Sequence, residues 1–156
     1  MSSLFACQSQ PAASHKSPDK EELIQAFYQS FDTGDEKMLA QVLSPSFKDH
    51  ERVPPYEVSD YTNMIEAAKR IQAGFANPKH QRLQTHYLAG DKVMVYWEFS
   101  GIHTGYLAGF APPDQAITFK GIDIFQITNG KIAEIWHVEA LHKLLKALKD
   151  SEQESS

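Results

Sequence analysis

The sequence predicts a single α+β domain in which three N-terminal helices and one curved antiparallel sheet enclose a pocket. Apolar residues recur at helical spacing from about residue 19 to residue 75, and from Gln81 onward they alternate every second residue. Helices followed by a run of hairpin-linked strands are typical of α+β rather than βαβ architecture. A chain of 156 residues has room for one such domain.

The helices are predicted from apolar stripes and from residues that begin or end a helix. The first begins after Pro18 and ends at Gly34, and its stripe has five members at helical spacing: Leu23, Ile24, Phe27, Tyr28 and Phe31. A short second helix ends before Ser44-Pro45. The third runs from Asp60 to Phe75, and Asn77-Pro78 is expected to end it.

The strands are predicted from alternation and from turn residues between them. A short extended piece precedes the third helix, and four longer strands follow it: 47–52, 82–88, 92–103, 116–128 and 131–139. Asn129-Gly130 is a strong signal for a two-residue hairpin turn between the last two strands. A twisted sheet of this kind, covered by helices on one face, curls into a half-open cone.

The domain is predicted to span residues 19–149, between a low-complexity leader (1–18) and a polar tail (150–156). An amphipathic helix with leucines at 141, 144, 145 and 148 is expected near its end. In the leader, Leu-Phe-Ala-Cys7 is similar to the lipobox of a bacterial lipoprotein, although the basic and apolar parts of a signal are incomplete. If translation starts upstream, Cys7 would anchor the protein in the bacterial envelope; otherwise the leader is an arbitrary flexible terminus of a cytoplasmic protein.

Composition excludes several classes of protein. A net charge of −5 and a pI near 5.8 argue against nucleic acid as the main partner. The sequence has no run of eighteen apolar residues, so no transmembrane segment is expected. A single cysteine excludes an internal disulfide and a thiolate zinc cluster.

Two titratable residues interrupt apolar rows of the predicted strands. Asp123 lies in the row that contains Phe119 and Phe125, and His103 ends the row of the preceding strand that contains Trp97 and Phe99. An imidazole and a carboxyl in one apolar pocket are what acid–base chemistry needs. Counting back from the Asn-Gly turn sets Asp123 opposite Trp136, and packing against an indole would raise the pKa of that carboxyl.

Other interpretations of these residues stay open. Asp123 is also compatible with a structural role, as a hydrogen-bond acceptor for a helix end or a buried Tyr, and His103 with a loop start in solvent. His50 is a candidate at the pocket mouth or a surface strand end. His137, with Glu139 and His142, lacks the tight spacing of metal ligands, and the same count places it on the face away from Asp123. No metal site is therefore expected.

From about Glu21 to Leu141 the chain resembles the SnoaL-like polyketide cyclases, also called ester cyclases, of the NTF2-like superfamily. Four segments in this order carry the resemblance: Phe47-Lys-Asp-His50, Gly101-Ile-His-Thr-Gly105, Gly121-Ile-Asp-Ile-Phe125 and Asn129-Gly-Lys-Ile-Ala-Glu-Ile-Trp136. The resemblance implies a cone-shaped α+β fold, a homodimer formed through the sheet, and catalysis without metal or organic cofactor. It also implies that Asp123 moves a proton beside a carbonyl and that His103 stabilises or protonates the enolate oxygen.

The loop over the pocket departs from the family pattern. Tyr106 stands where an acidic residue often follows His-Thr-Gly, and Pro113-Asp-Gln115 replaces a Thr-Gly-Lys/Arg step.

Together, the two titratable residues and the resemblance favour a cofactor-independent acid–base enzyme acting on a small hydrophobic carbonyl compound by aldol-type cyclisation, isomerisation or hydrolysis. Its predicted substrate-binding residues are His50, Trp97, Phe99, Tyr106, Phe119, Phe125 and Trp136. The alternatives are a non-catalytic protein that binds a small molecule in the same pocket and, more weakly, a structural dimerisation domain.

Overall fold

A computed structural model describes residues 19–52, 57–105, 114–140, 146 and 149–150. The leader with Cys7, the loop with Tyr106 and the leucines of the predicted terminal helix lie outside the described residues. The described elements are α1 (Lys20–Thr33), α2 (Glu36–Val42), β1 (Leu43–Asp49), α3 (Asp60–Gly74), β2 (Phe75–Leu88), β3 (Lys92–His103), β4 (Gln115–Thr128) and β5 (Lys131–Glu139).

The predicted stripe of α1 is buried against the sheet, and the helix ends are those expected from the sequence. The Glu22 side chain accepts a hydrogen bond from the Asp19 backbone N–H at the N-terminus. Gly34 follows the last turn in the left-handed conformation, with φ of 70°. These two caps fix the length of α1, and with it the position of Tyr28 over the sheet.

The five strands form one sheet in the order β1-β5-β4-β3-β2, so β1 and β2 are its edges. The α+β prediction is confirmed, but the purely antiparallel sheet is wrong, because β1 pairs with β5 in parallel. The alternation of apolar and polar residues in a short strand indicates which face is buried, but it does not indicate whether the neighbouring strand is parallel or antiparallel. The sheet is therefore mixed.

The boundary between α3 and β2 differs from the prediction. The helix ends at Gly74, and β2 starts at Phe75, seven residues before the predicted Arg82. Asn77-Pro78 lies inside β2 and not at a helix end. Asn77 has φ of 52°, and the register with β3 shifts between Ala76 and Lys79. A bulge on an edge strand accommodates a proline that cannot donate a ladder hydrogen bond.

A second bulge changes the register that matters for the site. Asn129 and Gly130 form the predicted hairpin, both with positive φ, but the β4–β5 pairing shifts between Gln126 and Ile127. Asp123 is consequently opposite His137, and Trp136 is opposite Ile124. The predicted pairing of Asp123 with Trp136 is wrong by one residue.

The core lies between the sheet and the helices. Its buried members come from all three helices and all five strands, among them Ile24, Phe27, Val95, Phe99, Phe125 and Ile135. In the part of the chain that the structure describes, no helix has the length and apolar character to cross a bilayer.

Candidate active site

Asp123 lies on the inner face of β4 and is 4% exposed. Tyr28, from the apolar stripe of α1, donates its hydroxyl hydrogen to Asp123 Oδ2 at 2.5 Å. Aromatic contacts with Phe27 and Phe125 hold the Tyr28 ring in place. Oδ1 accepts no hydrogen bond from any residue within the described ranges. One carboxylate oxygen thus bonds to the helix, and the other accepts no hydrogen bond from the described residues.

Burial raises the pKa of Asp123 from its ordinary 3.8 to about 6. The hydrogen bond from Tyr28 opposes this shift and lowers the pKa. The indole of Trp97 also lowers this pKa, although its N–H makes no hydrogen bond of ordinary geometry with any described residue, so it acts as a nearby dipole. Burial and the Asp123 charge raise the pKa of Tyr28 well above its usual 10. Asp123 therefore exchanges a proton near neutral pH while Tyr28 stays protonated.

Trp97 brings an unpaired donor to this part of the inner face. Its Nε1 is buried and has no hydrogen-bond partner among the described residues. The ring lies over Gly121 of the neighbouring strand, where a Cβ atom would come within 2.3 Å of Trp97 Cζ2. A buried N–H without a partner is costly, and a ligand carbonyl oxygen would satisfy it.

The sequence prediction missed His137, which the bulge of β5 turns toward the inner face beside Asp123. The prediction that His137 faces away from Asp123 is wrong, because pairing the residues of β4 and β5 one by one from the hairpin turn leaves out the extra residue of the bulge. His137 Nε2 lies 3.0 Å from Asp49 Oδ1. This hydrogen bond raises the pKa of His137. Burial alone would raise the pKa of Asp49, but the bond and charge of His137 lower it.

A second His–Asp pair lies on the β2 side of the inner face. His80 Nδ1 is 2.7 Å from Asp32 Oδ1, and the same oxygen accepts the His80 backbone N–H at 2.9 Å. The imidazole is packed among aromatic rings, including Tyr28 and Phe99. No local sequence pattern points to this pair, because its members are 48 residues apart.

His103 is fully buried at the far end of the inner face, so the alternative of a loop start in solvent is wrong. Its ring packs on Phe75, and neither ring nitrogen has a hydrogen-bond partner in the described part of the chain. Its register partner is Gln115, eight residues from Asp123 along β4. Eight residues span about 26 Å along a strand. The two predicted catalytic residues share a face without being neighbours.

The other predicted residues divide between the two faces. Trp97, Phe99, Phe119 and Phe125 are buried on the inner face. His50 and Trp136 instead stack on each other on the outer face, with ring centroids 4.3 Å apart and planes at 3°. Trp136 is therefore not the group that desolvates Asp123. His50 is exposed, as its surface interpretation predicts, and it contacts Glu134 at 2.6 Å.

The arrangement suits proton transfer. Three titratable groups from different strands, Asp49, Asp123 and His137, lie next to one another, and one of them, Asp123, is a buried carboxyl with a pKa of about 6. Within the described ranges, no group of three or more His, Cys, Asp or Glu residues is arranged to hold a metal ion.

The sequence profile of the SnoaL-like polyketide cyclases matches residues 21–148. No curated protein matches the chain. Among solved structures, TsrD from Streptomyces laurentii is 23% identical, with a TM-score of 0.75 over 84% of this chain and 97% of TsrD. A proposed polyketide cyclase from Bacillus cereus is 28% identical, with a TM-score of 0.68 over 85% of this chain and 86% of that protein. IdmH, a proposed polyketide cyclase from Streptomyces antibioticus, is 20% identical, with a TM-score of 0.70 over 83% of this chain and 97% of IdmH.

Proposed function

Because the chain belongs to the SnoaL-like polyketide cyclase family, we propose that it is a cofactor-independent acid–base catalyst acting on a small hydrophobic carbonyl compound. The observation that carries the proposal is the buried Asp123, with a pKa of about 6 and one oxygen unengaged by the described residues. A general base works best when its pKa lies near the working pH. The aromatic inner face favours an apolar substrate.

In the proposed reaction, ionised Asp123 takes a proton from the carbon beside a substrate carbonyl. The electron pair of the broken C–H bond moves onto the carbonyl oxygen, and the Trp97 N–H stabilises the resulting enolate. The enolate carbon then adds to a second carbonyl of the substrate, closing a ring, or takes a proton back at another carbon. The proton held by Asp123 returns to the product, so no oxidant or reductant is needed. Tyr28 keeps the carboxyl in position.

The buried His103 imidazole fits a polar group at the other end of an extended substrate. Both ring nitrogens are buried without partners in the described part of the chain. Its separation from Asp123 along the strand suits binding of a distant carbonyl better than a shared proton transfer.

The test is hydrogen–deuterium exchange at the α-carbon of β-keto methyl esters of increasing chain length, followed by NMR. We expect the protein to catalyse exchange and the Asp123→Asn variant to lose about 100-fold or more of that rate. His50→Gln, which alters a titratable residue on the outer face, is the control and should keep the rate. Equal exchange by wild type and Asp123→Asn would rule out Asp123 as the base.

A binding protein without catalysis is the second candidate, since Asp123 already accepts the buried Tyr28 hydroxyl, as a structural residue would. This function predicts that β-keto esters raise the melting temperature of wild type and of the Asp123→Asn variant equally, without exchange. Stabilisation of wild type accompanied by exchange would favour the enzyme.

The outer face of the sheet supports a homodimer. Val138 is 71% exposed and lies opposite Ile122, which is 42% exposed, at the centre of that face. Exposed apolar side chains grouped on one sheet face are typical of a protein–protein contact. A second copy of the chain would cover them.

The Val138→Lys variant tests this contact, because a lysine there would place two charges inside a symmetric interface. Sedimentation velocity is expected to show a wild-type dimer and a monomeric variant. Val58→Lys, at a residue 39% exposed just before α3, should leave the dimer intact. A monomeric wild type would contradict the proposed dimer.

A further inference from the structure

We propose that His137, held by Asp49, is the second proton-transfer group of the site and protonates the substrate oxygen while Asp123 acts at carbon. This inference rests on the proposed function, since it assumes the proton abstraction by Asp123. The family resemblance implies that His103 protonates the enolate oxygen. We assign that role to His137 instead, because the register places it directly beside Asp123.

The position of His137 follows from the β4–β5 ladder. It is the cross-strand partner of Asp123 on the same face. Side chains so paired have Cβ atoms about 4.5–5.5 Å apart. Two side chains at that spacing can reach a carbonyl oxygen and the adjacent α-carbon of one substrate, whereas the register partner of His103 is eight residues from Asp123 along β4.

Asp49 fixes the imidazole. Its side chain is 6% exposed, and its Oδ1 accepts hydrogen bonds from His137 Nε2 and from the Glu51 backbone N–H, both at 3.0 Å. The Asp49 backbone N–H is in turn bonded to Asp60 Oδ2 at 3.1 Å. A carboxylate only accepts hydrogen bonds, so Nε2 carries a hydrogen in either charge state of the ring. Asp49 is therefore a positioning residue.

The other ring nitrogen is available for chemistry. His137 Nδ1 lies 3.9 Å from Glu139 Oε1, beyond hydrogen-bond distance, and the side chain is 26% exposed. Asp49 on β1, Asp123 on β4 and Glu139 on β5 all favour the protonated ring, and Arg52 lies near Asp49. Protonated Nδ1 can thus act as the acid.

Asp123 and His137 together account for every proton transferred in the reaction. The α-hydrogen passes to Asp123 as the C–H bond breaks, and the Nδ1 hydrogen of cationic His137 passes to the enolate oxygen, giving an enol and a neutral imidazole. When the enol carbon attacks a second carbonyl, its O–H hydrogen returns to Nδ1. The proton on Asp123 then moves to the new alkoxide. Both residues end in their starting states.

The His80–Asp32 pair is a weaker candidate for this role. Its imidazole is enclosed by the rings of Phe31, Trp97 and Phe99, and it is not a strand neighbour of Asp123. Its geometry suits a structural bond between α1 and β2.

The experiment combines histidine NMR titration with the pH dependence of β-keto ester exchange in the full chain. Asp49→Asn is expected to lower the titration midpoint of His137 and to move the high-pH limb of the rate profile to lower pH by a similar amount. His137→Gln is expected to remove that limb and to lower the rate at pH 7 about 100-fold. His50→Gln is the matched control and should change neither.

The outcomes separate the two proposals. A wild-type rate and pH profile in His137→Gln, with Asp123→Asn inactive, would overturn the role of His137 and leave the proposed function standing. A His137 midpoint unchanged in Asp49→Asn would also overturn it, and this measurement needs no activity. No exchange by wild type would overturn the proposed function and the present inference together.

Discussion

The Asp123→Asn variant is expected to be more stable than wild type at neutral pH although it loses activity. Raising the pKa of a carboxyl from 3.8 to about 6 corresponds to about 3 kcal/mol of cost for ionising it in the folded protein. Asn has the same shape, cannot ionise, and can still accept the Tyr28 hydroxyl. The substitution therefore removes the cost and keeps the contact.

The sign of this effect depends on pH. The folded protein binds its proton at Asp123 more tightly than the unfolded chain, so the wild type loses stability as pH rises from about 4 to about 6. The variant lacks this loss. Urea unfolding should therefore give equal stabilities below about pH 4 and a difference approaching 3 kcal/mol above about pH 7.

Asp49→Asn provides the matched control, because the folded protein lowers the pKa of Asp49. Its ionised form contributes stability above the ordinary pKa of an aspartate, and the variant should be less stable than wild type at neutral pH. Replacing these two carboxyls by amides is thus expected to change the free energy of unfolding at neutral pH in opposite directions. Destabilisation by Asp123→Asn at every pH would instead show that the carboxyl group of Asp123 stabilises the fold in a way that an amide does not replace.

Gly121→Ala is expected to impair stability and catalysis together. The new Cβ would lie 2.3 Å from Trp97 Cζ2 and 2.7 Å from Cε2, closer than carbon atoms approach. Ladders on both sides hold β4, so the indole must move. Overpacking of this kind costs about 1–3 kcal/mol. Displacing Trp97 also removes the N–H proposed to stabilise the enolate.

The measurements are urea unfolding and the exchange rate, with Gly101→Ala as control. At Gly101 an added Cβ would meet Phe75 and Phe99 atoms at 3.2 Å, a tight contact that small shifts relieve. We expect a clearly smaller loss of stability there and an exchange rate close to wild type. A Gly121→Ala variant as stable and active as wild type would contradict the assigned position of Trp97.

The sequence was most informative where structure is set by near neighbours. β3 and β5 have the predicted bounds, and α1 has the predicted stripe and ends, because period, caps and the Asn-Gly turn are local. Asp123 stood out for the same reason, as a carboxyl in an apolar row. Its partner Tyr28 is 95 residues away, and no local pattern connects the two.

The sequence-based prediction was wrong where one extra residue in a strand shifts the pairing with its neighbour. The bulge between Gln126 and Ile127 moved Trp136 out of the predicted site and His137 into it. At the other bulge, Asn77-Pro78 was predicted to end α3, whereas it lies within the first residues of β2. A bulge depends on the pairing of two strands, so it is not visible in either strand alone.

The β5 bulge also has a consequence for how the site tolerates changes in chain length. Ala133 has no partner on β4, with Ile132 opposite Ile127 and Glu134 opposite Gln126. Losing Ala133 would straighten the ladder without changing the partner of Asp123. Losing a residue between Glu134 and His137 would replace that partner. A relative that lacks the bulge residue can therefore retain the same partner for Asp123, whereas a gap a few positions later changes which side chains of β5 face inward.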